Sequence, residues 1–168
     1  MPTPEVLIRP ATEADLDAIN AIYNREILEG VATWDTEPWT AGARLAWFHE
    51  HTAPGEIVLA AEAGGEVVGF GYLARYRVRL GYRFTREDTV YVRPDFQRAG
   101  VGRLLLTALL DEARRAGMHA VIARIEAGNA GSIALHRALG FEVLGEERET
   151  GRKFDRWLSL VQMQIVLG

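Results

Sequence analysis

Between Asp88 and Ala116 a β-branched and aromatic run, a turn holding two glycines and an amphipathic helix follow one another without a break. Thr89, Val90, Tyr91 and Val92 favour a buried strand, and Pro94 closes it because proline has no N–H to give to a ladder. From Val101 onward, Leu104, Leu105, Ala108, Leu109 and Ala113 fall at the three-to-four spacing of one buried helix face. Arg114 and Arg115 stand in the last turn, where they suit the negative end of the helix, and Gly117 follows as a left-handed cap. A strand, a glycine turn and a helix in that order commit the chain to helix packed on sheet.

The start of that helix carries the chemistry. Its first N–H groups have no partner inside the helix and hold about half a positive charge, so a glycine turn leading into them makes a seat for an anion. At Gly100 and Gly102 a Cβ would hold the anion's oxygens off the backbone. Arg98 and Arg103 flank the seat with guanidinium groups that match phosphate. A pyrophosphate is the expected ligand. Two nucleotide motifs are excluded by inspection: no Gly-Lys-Ser/Thr ends the loop, and no third glycine with an acidic residue about 20 positions on completes a dinucleotide fingerprint.

The rest of the chain supplies the layers. A first strand is expected over 6–9. Thr12 then caps a helix, with Asp15 as an acidic variant of the capping box and Leu16, Ile19, Ile22, Tyr23 and Ile27 as its buried face. Residues 30–39 read as a loop rich in aromatics, and 43–51 as a second amphipathic helix ended by Pro54 and Gly55. Strands over 57–61 and 67–73 are joined by Ala63-Gly64-Gly65-Glu66, a hairpin signal. After the central stretch come a strand over 120–125, a short helix over 130–139, a strand beginning at Phe141 and a closing strand over 157–166. This order is that of an α/β sandwich with a mixed sheet, and no repeat or linker divides it, so one domain over 1–168 is expected.

Composition narrows the function. A chain of 168 residues with 48% hydrophobic content can fill one core. Its net charge of −4 speaks against nucleic acid or an anionic membrane as partner. The absence of cysteine excludes disulfides, thiolate metal sites and a cysteine nucleophile. The four histidines show no zinc spacing, and no metal is expected. Met1 to Glu5 lack a basic region and an apolar core, and no apolar run approaches the ~20 residues of a membrane span. A soluble, cytoplasmic protein is expected.

The segment Gln97-Arg98-Ala99-Gly100-Val101-Gly102 closely resembles the acetyl-coenzyme A signature, Gln/Arg-x-x-Gly-x-Gly/Ala, of the GNAT superfamily of N-acetyltransferases. The element order matches that superfamily along the whole chain, which implies an α+β fold with a central, mostly antiparallel sheet of six to seven strands and about four helices. The resemblance implies that acetyl-coenzyme A contacts Val90, Tyr91 and Val92, the six signature residues and Arg103. A second match runs from Asn129 to Phe141. Here the superfamily carries an Asn that touches the coenzyme and an aromatic residue, often Tyr, four positions before a Gly-Phe pair. Asn129, with Ser132 near it, takes the first role, and His136 occupies the second position; read from the residues alone, Asn129 is a helix cap and His136 part of a solvated face.

Within the superfamily the chain looks most like the phosphinothricin and methionine sulfoximine acetyltransferases. Matching pieces are Thr36-Glu37-Pro38, Glu87 with Thr89-Val90-Tyr91-Val92, His136 with Ala138-Leu139-Gly140, Gly151 and Lys153, and Trp157 and Gln164. The chain departs from the group at Asp155 and Ser159, where Gly and Asp are frequent. Arg75, Arg77 and Arg79 alternate with other residues, so an extended segment would set all three on one side, either to grip a carboxylate and a second acidic group or merely as a soluble strand end. Arg77, Arg79, Tyr82, Thr89 and Trp34 are the candidate acceptor contacts, on a small anionic amino acid.

Acetyl transfer needs a neutral amine, whereas an α-ammonium is mostly protonated near pH 7, so a base must take its proton. Glu87 is the candidate, its alternative being a surface ion pair with Arg86 or Arg83. The resemblance gives the oxyanion to the Val92 N–H. His136 is the candidate acid for the leaving thiolate, with Tyr91 as a second choice. No covalent acyl-enzyme is expected without a cysteine or a Gly-x-Ser-x-Gly elbow. A homodimer is expected from the resemblance. A protein or peptide N-terminal acetyltransferase and a silent acyl-coenzyme A binding module are the alternatives.

Overall fold

The computed structural model describes residues 4–168. Met1 to Thr3, on which the reading of the N-terminus partly rests, lie outside the described residues. The elements are β1 (Val6–Pro10), α1 (Leu16–Glu29), α2 (Ala41–Glu50), β2 (Ile57–Ala63), β3 (Glu66–Arg75), β4 (Thr85–Val92), α3 (Val101–Arg115), β5 (Ala120–Glu126), α4 (Ala130–Ala138), β6 (Glu142–Lys153) and β7 (Arg156–Val166). All seven strands join one sheet in the order β1-β2-β3-β4-β5-β7-β6. Every neighbouring pair is antiparallel except β4 and β5.

Local chemistry explains most boundaries. The Thr12 N–H donates to Asp15 Oδ2 at 2.7 Å, and Arg9 grips the same carboxylate at 2.8 and 2.9 Å, so a single 3-10 turn leads into α1. Gly64 and Gly65, at φ 60° and 83°, close the β2–β3 hairpin with a turn that demands two left-handed residues. Helix α2 begins two residues before the expected start, because the Thr40 hydroxyl accepts from the Ala43 N–H at 3.1 Å.

Two cores flank the sheet. On one face α1 and α2 bury Leu16, Ile19, Tyr23, Ile27 and Trp47 against Val58 and Phe70. On the other, α3 buries Val101, Leu105, Leu106, Leu109, Leu110 and Ala113, and Leu135 of α4 and Leu139 just after it join that cluster. The face expected of α3 is corrected by one position: Leu104 is 45% exposed, while Leu106 and Leu110 are buried. The buried stripe keeps its expected breadth but is rotated about the helix axis, toward Leu106 and Leu110 and away from Leu104.

One irregularity in the sheet sets up the site. Strands β4 and β5 pair only from Thr85 opposite Ala120 to Glu87 opposite Ile122. Beyond Glu87 they part, and a wedge opens between them. Among the described residues, the one parallel pair of the sheet is also where it opens.

Candidate active site

The wall of the wedge is built from backbone. The Arg93 N–H donates to Val68 O on β3 at 2.8 Å. Strand alternation then turns the N–H and C=O of Val90 and Val92, and the C=O of Asp88, away from β3 and into the wedge, while the Asp88 N–H belongs to the last rung between β4 and β5. The Gln97 side-chain amide donates to Val92 O at 3.0 Å, and the Val92 N–H keeps its open direction. Tyr91 differs from its expected role. It sits opposite Phe70 in the ladder, and its ring packs edge-on to Tyr23 at 5.3 Å and against Phe70 at 5.5 Å. Burial drives its hydroxyl well above the ordinary tyrosine pKa. The ladder takes up its backbone N–H and C=O and its ring packs on the α1/α2 face, so it is set aside as a donor to a thiolate.

At the end of the wedge lies the start of α3. Gly100 precedes the helix at φ 83°, and Arg98 takes φ 62° two residues earlier. No side chain caps this terminus and its first turn holds no acid, which leaves the N–H groups to an outside anion. A Cβ on Gly100 would meet nothing within 4 Å, so it would stand in the space that an anion needs. A Cβ on Gly102 would reach Leu135 Cδ2 at 3.4 Å, so that glycine also serves the approach of α3 to α4. Ala99, Arg98 and Arg103 are exposed around the seat, while Val101 is buried beneath it. Asn129, beyond β5, accepts from the Ser132 N–H at 3.1 Å through Oδ1 and so caps α4, which leaves its NH2 for a ligand.

Glu87 lies inside β4 rather than ahead of it, at the point where the wedge begins. Its side chain points to the α1/α2 face, as do those of Thr89 and Tyr91. Burial raises its carboxyl above the usual range, Arg124 and Arg77 pull it down through space, and Asp88 adds to the rise. The ion-pair alternative is set aside. Arg86 spends its guanidinium on the carbonyls of Gly55, Arg83, Thr85 and Pro54 at 2.8 to 3.2 Å, and Arg83 donates to Leu80 O at 3.2 Å.

His136 is not on a solvated face: it is 3% exposed. Its Nε2 meets Asp88 Oδ1 at 3.1 Å and its Nδ1 meets Ser132 O at 2.7 Å. Asp88 is the residue that sequence reasoning missed. Alternation from Glu87 sends its side chain to the α3/α4 face, and only the position of α4 reveals a partner 48 residues away.

The arginine row is also corrected. Strand β3 stops at Arg75, its last partner being Arg86, so nothing holds the following residues extended. Arg75 turns to Glu56 at 3.6 Å. Arg77 lies over the Tyr76 ring at 4.8 Å and 6.0 Å from the Tyr82 ring, and Tyr76 and Tyr82 meet edge-on at 5.6 Å. Arg79 is exposed beside the 3-10 turn Leu80–Tyr82. What forms is a cluster of Arg77 with two tyrosines, reached by Arg77's field at Glu87. Trp34 lies across the backbone of Gly151 on β6, so close that any Cβ there would collide with its ring.

Residues 19–141 match the Acetyltransferase (GNAT) family. The chain is 45% identical over 161 residues to an L-methionine sulfoximine/L-methionine sulfone acetyltransferase of Pseudomonas aeruginosa, covering 95% of this chain and 94% of that one. It is 37% identical over 162 residues to a phosphinothricin N-acetyltransferase of Alcaligenes faecalis, covering 96% and 82%. An acetyltransferase of Salmonella typhimurium, solved with its cofactor acetyl-CoA, superposes with a TM-score of 0.95 at 43% identity, covering 98% of this chain and 95% of that one.

Proposed function

The chain belongs to the GNAT acetyltransferase family and is an acetyl-CoA-dependent N-acetyltransferase, and from that premise we propose that it acetylates the amino group of a small anionic amino acid such as methionine sulfoximine or phosphinothricin. The observation that carries this reading is the placing of Glu87 at the apex of a wedge whose far end is an uncapped helix N-terminus. The α3 N–H groups, with Arg98 and Arg103, hold the pyrophosphate, and the edge of β4 at Val90 and Val92 aligns the arm behind it. Bound there, acetyl-CoA supplies the activated acetyl group.

The chain's own residues do the rest. Glu87, with a carboxyl that burial holds above the usual range, takes the proton from the acceptor's ammonium, directly or through water. The Val92 N–H faces the charge that develops on the acetyl oxygen. Arg77, Arg79 and Tyr82 receive the acceptor's acidic groups, with Thr89 and Trp34 as pocket walls. Direct transfer follows, and no step calls for a metal. Exposed Val143, Leu144, Phe154 and Trp157 on β6, β7 and their turn support a homodimer. A cytoplasmic location goes with the same reading.

Thiol release from acetyl-CoA by wild type beside Glu87→Gln tests it, with methionine sulfoximine, phosphinothricin, a polyamine and a short peptide as acceptors. Release with the first two, reduced about 10²- to 10⁴-fold in the variant, is expected. Preference for the peptide or polyamine overturns the acceptor assignment, and full activity in the variant overturns the base.

A further inference from the structure

The face of the sheet that carries Glu87 holds a second guanidinium group that the arginine row does not include. Glu87 pairs with Ile122 in the ladder, so Ile122, Arg124 and Glu126 of β5 share its face, while Val121, Ala123 and Ile125 join the α3 core on the other. Among the described residues, the cluster beneath α1 and α2 draws its strand residues from β2, β3 and β4 and takes none from β5, β7 or β6. Arg124 stands exposed on the part of the face that those helices leave. It lies two residues beyond Ile122, about 7 Å along the strand, where Thr89 would be its partner had the ladder continued.

The loop after β3 is fastened to the same place. Arg124 faces Gln162 of β7 in the antiparallel ladder, and the Gln162 amide donates to the Tyr76 hydroxyl at 3.2 Å. Arg77, stacked over the Tyr76 ring, donates to that hydroxyl at 3.4 Å. The Tyr76–Gln162 contact thus links two guanidinium groups from distant segments beside Glu87. Burial raises the Glu87 carboxyl, and of the two guanidinium groups that pull it down Arg124 pulls harder. Cations gathered in this way repel one another unless an anion joins them. Arg124 meets Glu147 of β6 at 3.4 Å, with both side chains 40% exposed, a contact too long and too well solvated to hold the guanidinium fast.

We propose that Arg124 is a specificity-determining residue of the acceptor site, which together with Arg77 holds the α-carboxylate of the amino acid whose amine Glu87 deprotonates. This deepens the acetyltransferase reading of the wedge and rests on it. An amino acid carries its amine and its carboxylate on one carbon, so the base and the cations that receive the carboxylate have to stand side by side. Glu87 at the start of the wedge, with Arg124 on the neighbouring strand and Arg77 on the loop fastened to Gln162, meets that demand. When the acceptor binds, Arg124 turns from Glu147 to the carboxylate and pairs with it through two N–H groups. A polyamine or a peptide N-terminus brings no carboxylate next to its amine. Its ammonium would face two unpaired guanidinium groups, which disfavours it.

The test uses the full chain and steady-state kinetics of wild type, Arg124→Ala and Arg124→Lys. The acceptors are a panel of free amino acids, methionine sulfoximine and phosphinothricin among them, each beside its α-carboxamide. Losses are compared acceptor by acceptor between variant and wild type, so the lower amine pKa of a carboxamide cancels. In Arg124→Ala the kcat/KM for the free acids is expected to fall about 10- to 100-fold, chiefly through a higher acceptor KM. The carboxamides should stay within about threefold of wild type and the KM for acetyl-CoA within about twofold. Arg124→Lys keeps the charge without the fork and should recover part of the loss. Equal losses for acid and carboxamide, or an unchanged acceptor KM for the acids, overturn the role of Arg124. Thermal melts of both variants close to that of wild type are expected from a side chain outside the core, and if Arg124→Ala does not fold, Arg124→Lys decides by the same comparison. Activity on other amino acids but not on methionine sulfoximine or phosphinothricin overturns the named acceptors and leaves Arg124 to be decided on those that are used; no thiol release with any amino acid overturns both.

Discussion

Glu87 carries a cost at the residue scale. Its carboxyl is held above the usual range chiefly by burial, with Arg124 and Arg77 acting only through space. A raised carboxyl favours the protonated form in the folded state, so its contribution to stability is present below the unfolded value of about 4.3 and is lost as pH rises through the folded value. Glu87→Gln is therefore expected to melt higher than wild type at pH 8, with the gap closing toward pH 4; thermal melts across that range check it. A gap that does not shrink on acidification would mean the burial is not felt as charge. His136 has the same sign in another window, its stabilisation being complete below about 6.5 and lost above. Glu87 was legible as a carboxylate beside a strand and a coenzyme signature. Asp88, one residue on, was not, because its partner is fixed by the packing of α4 and no local pattern records it.

At the scale of elements, periodicity located α3 but misjudged the rotation of its buried face. Leu106 is fully buried and Leu104 is 45% exposed, although both are leucines in the same turn. Leu106→Ala is expected to destabilise by about 2–5 kcal/mol and Leu104→Ala by less than about 1. Denaturant unfolding of both variants checks this, and similar losses would contradict the observed rotation of the helix. The alternating arginines failed for a different reason. Alternation predicts one-sidedness only while a ladder holds the chain extended, and the ladder ends at Arg75 opposite Arg86. The departure at Asp155 also has a local cause: with φ 57° beside Phe154 at 49°, it occupies a left-handed turn position that suits glycine.

Across the whole molecule, the β6–β7 hairpin reaches over the sheet to the loop after α1. Lys153, 4% exposed, donates to Thr33 O at 2.9 Å, and Gly151 lies beneath the Trp34 ring. Two segments more than 100 residues apart in the chain are thereby tied together. Gly151→Ala forces the ring away, at a cost of about 1–3 kcal/mol for overpacking. If Trp34 walls the acceptor pocket, the acceptor KM should rise several-fold while coenzyme binding stays unchanged; steady-state kinetics with each substrate varied would show it, and an unchanged acceptor KM would remove Trp34 from the pocket.

The sequence by itself determined what depends on near neighbours: the order of strands and helices, the hairpin at Gly64 and Gly65, the capped start of α1, and the uncapped, glycine-led start of α3. These follow from dihedral preference, periodicity and missing side chains, all of which act within a turn or two. Tertiary structure alone decided where β4 parts from β5, which face each β4 side chain meets, and that the histidine of α4 lies against Asp88 rather than in water. Those outcomes depend on how helices on two faces twist and seat one sheet, a balance of contacts distant in the chain that no local run of residues encodes.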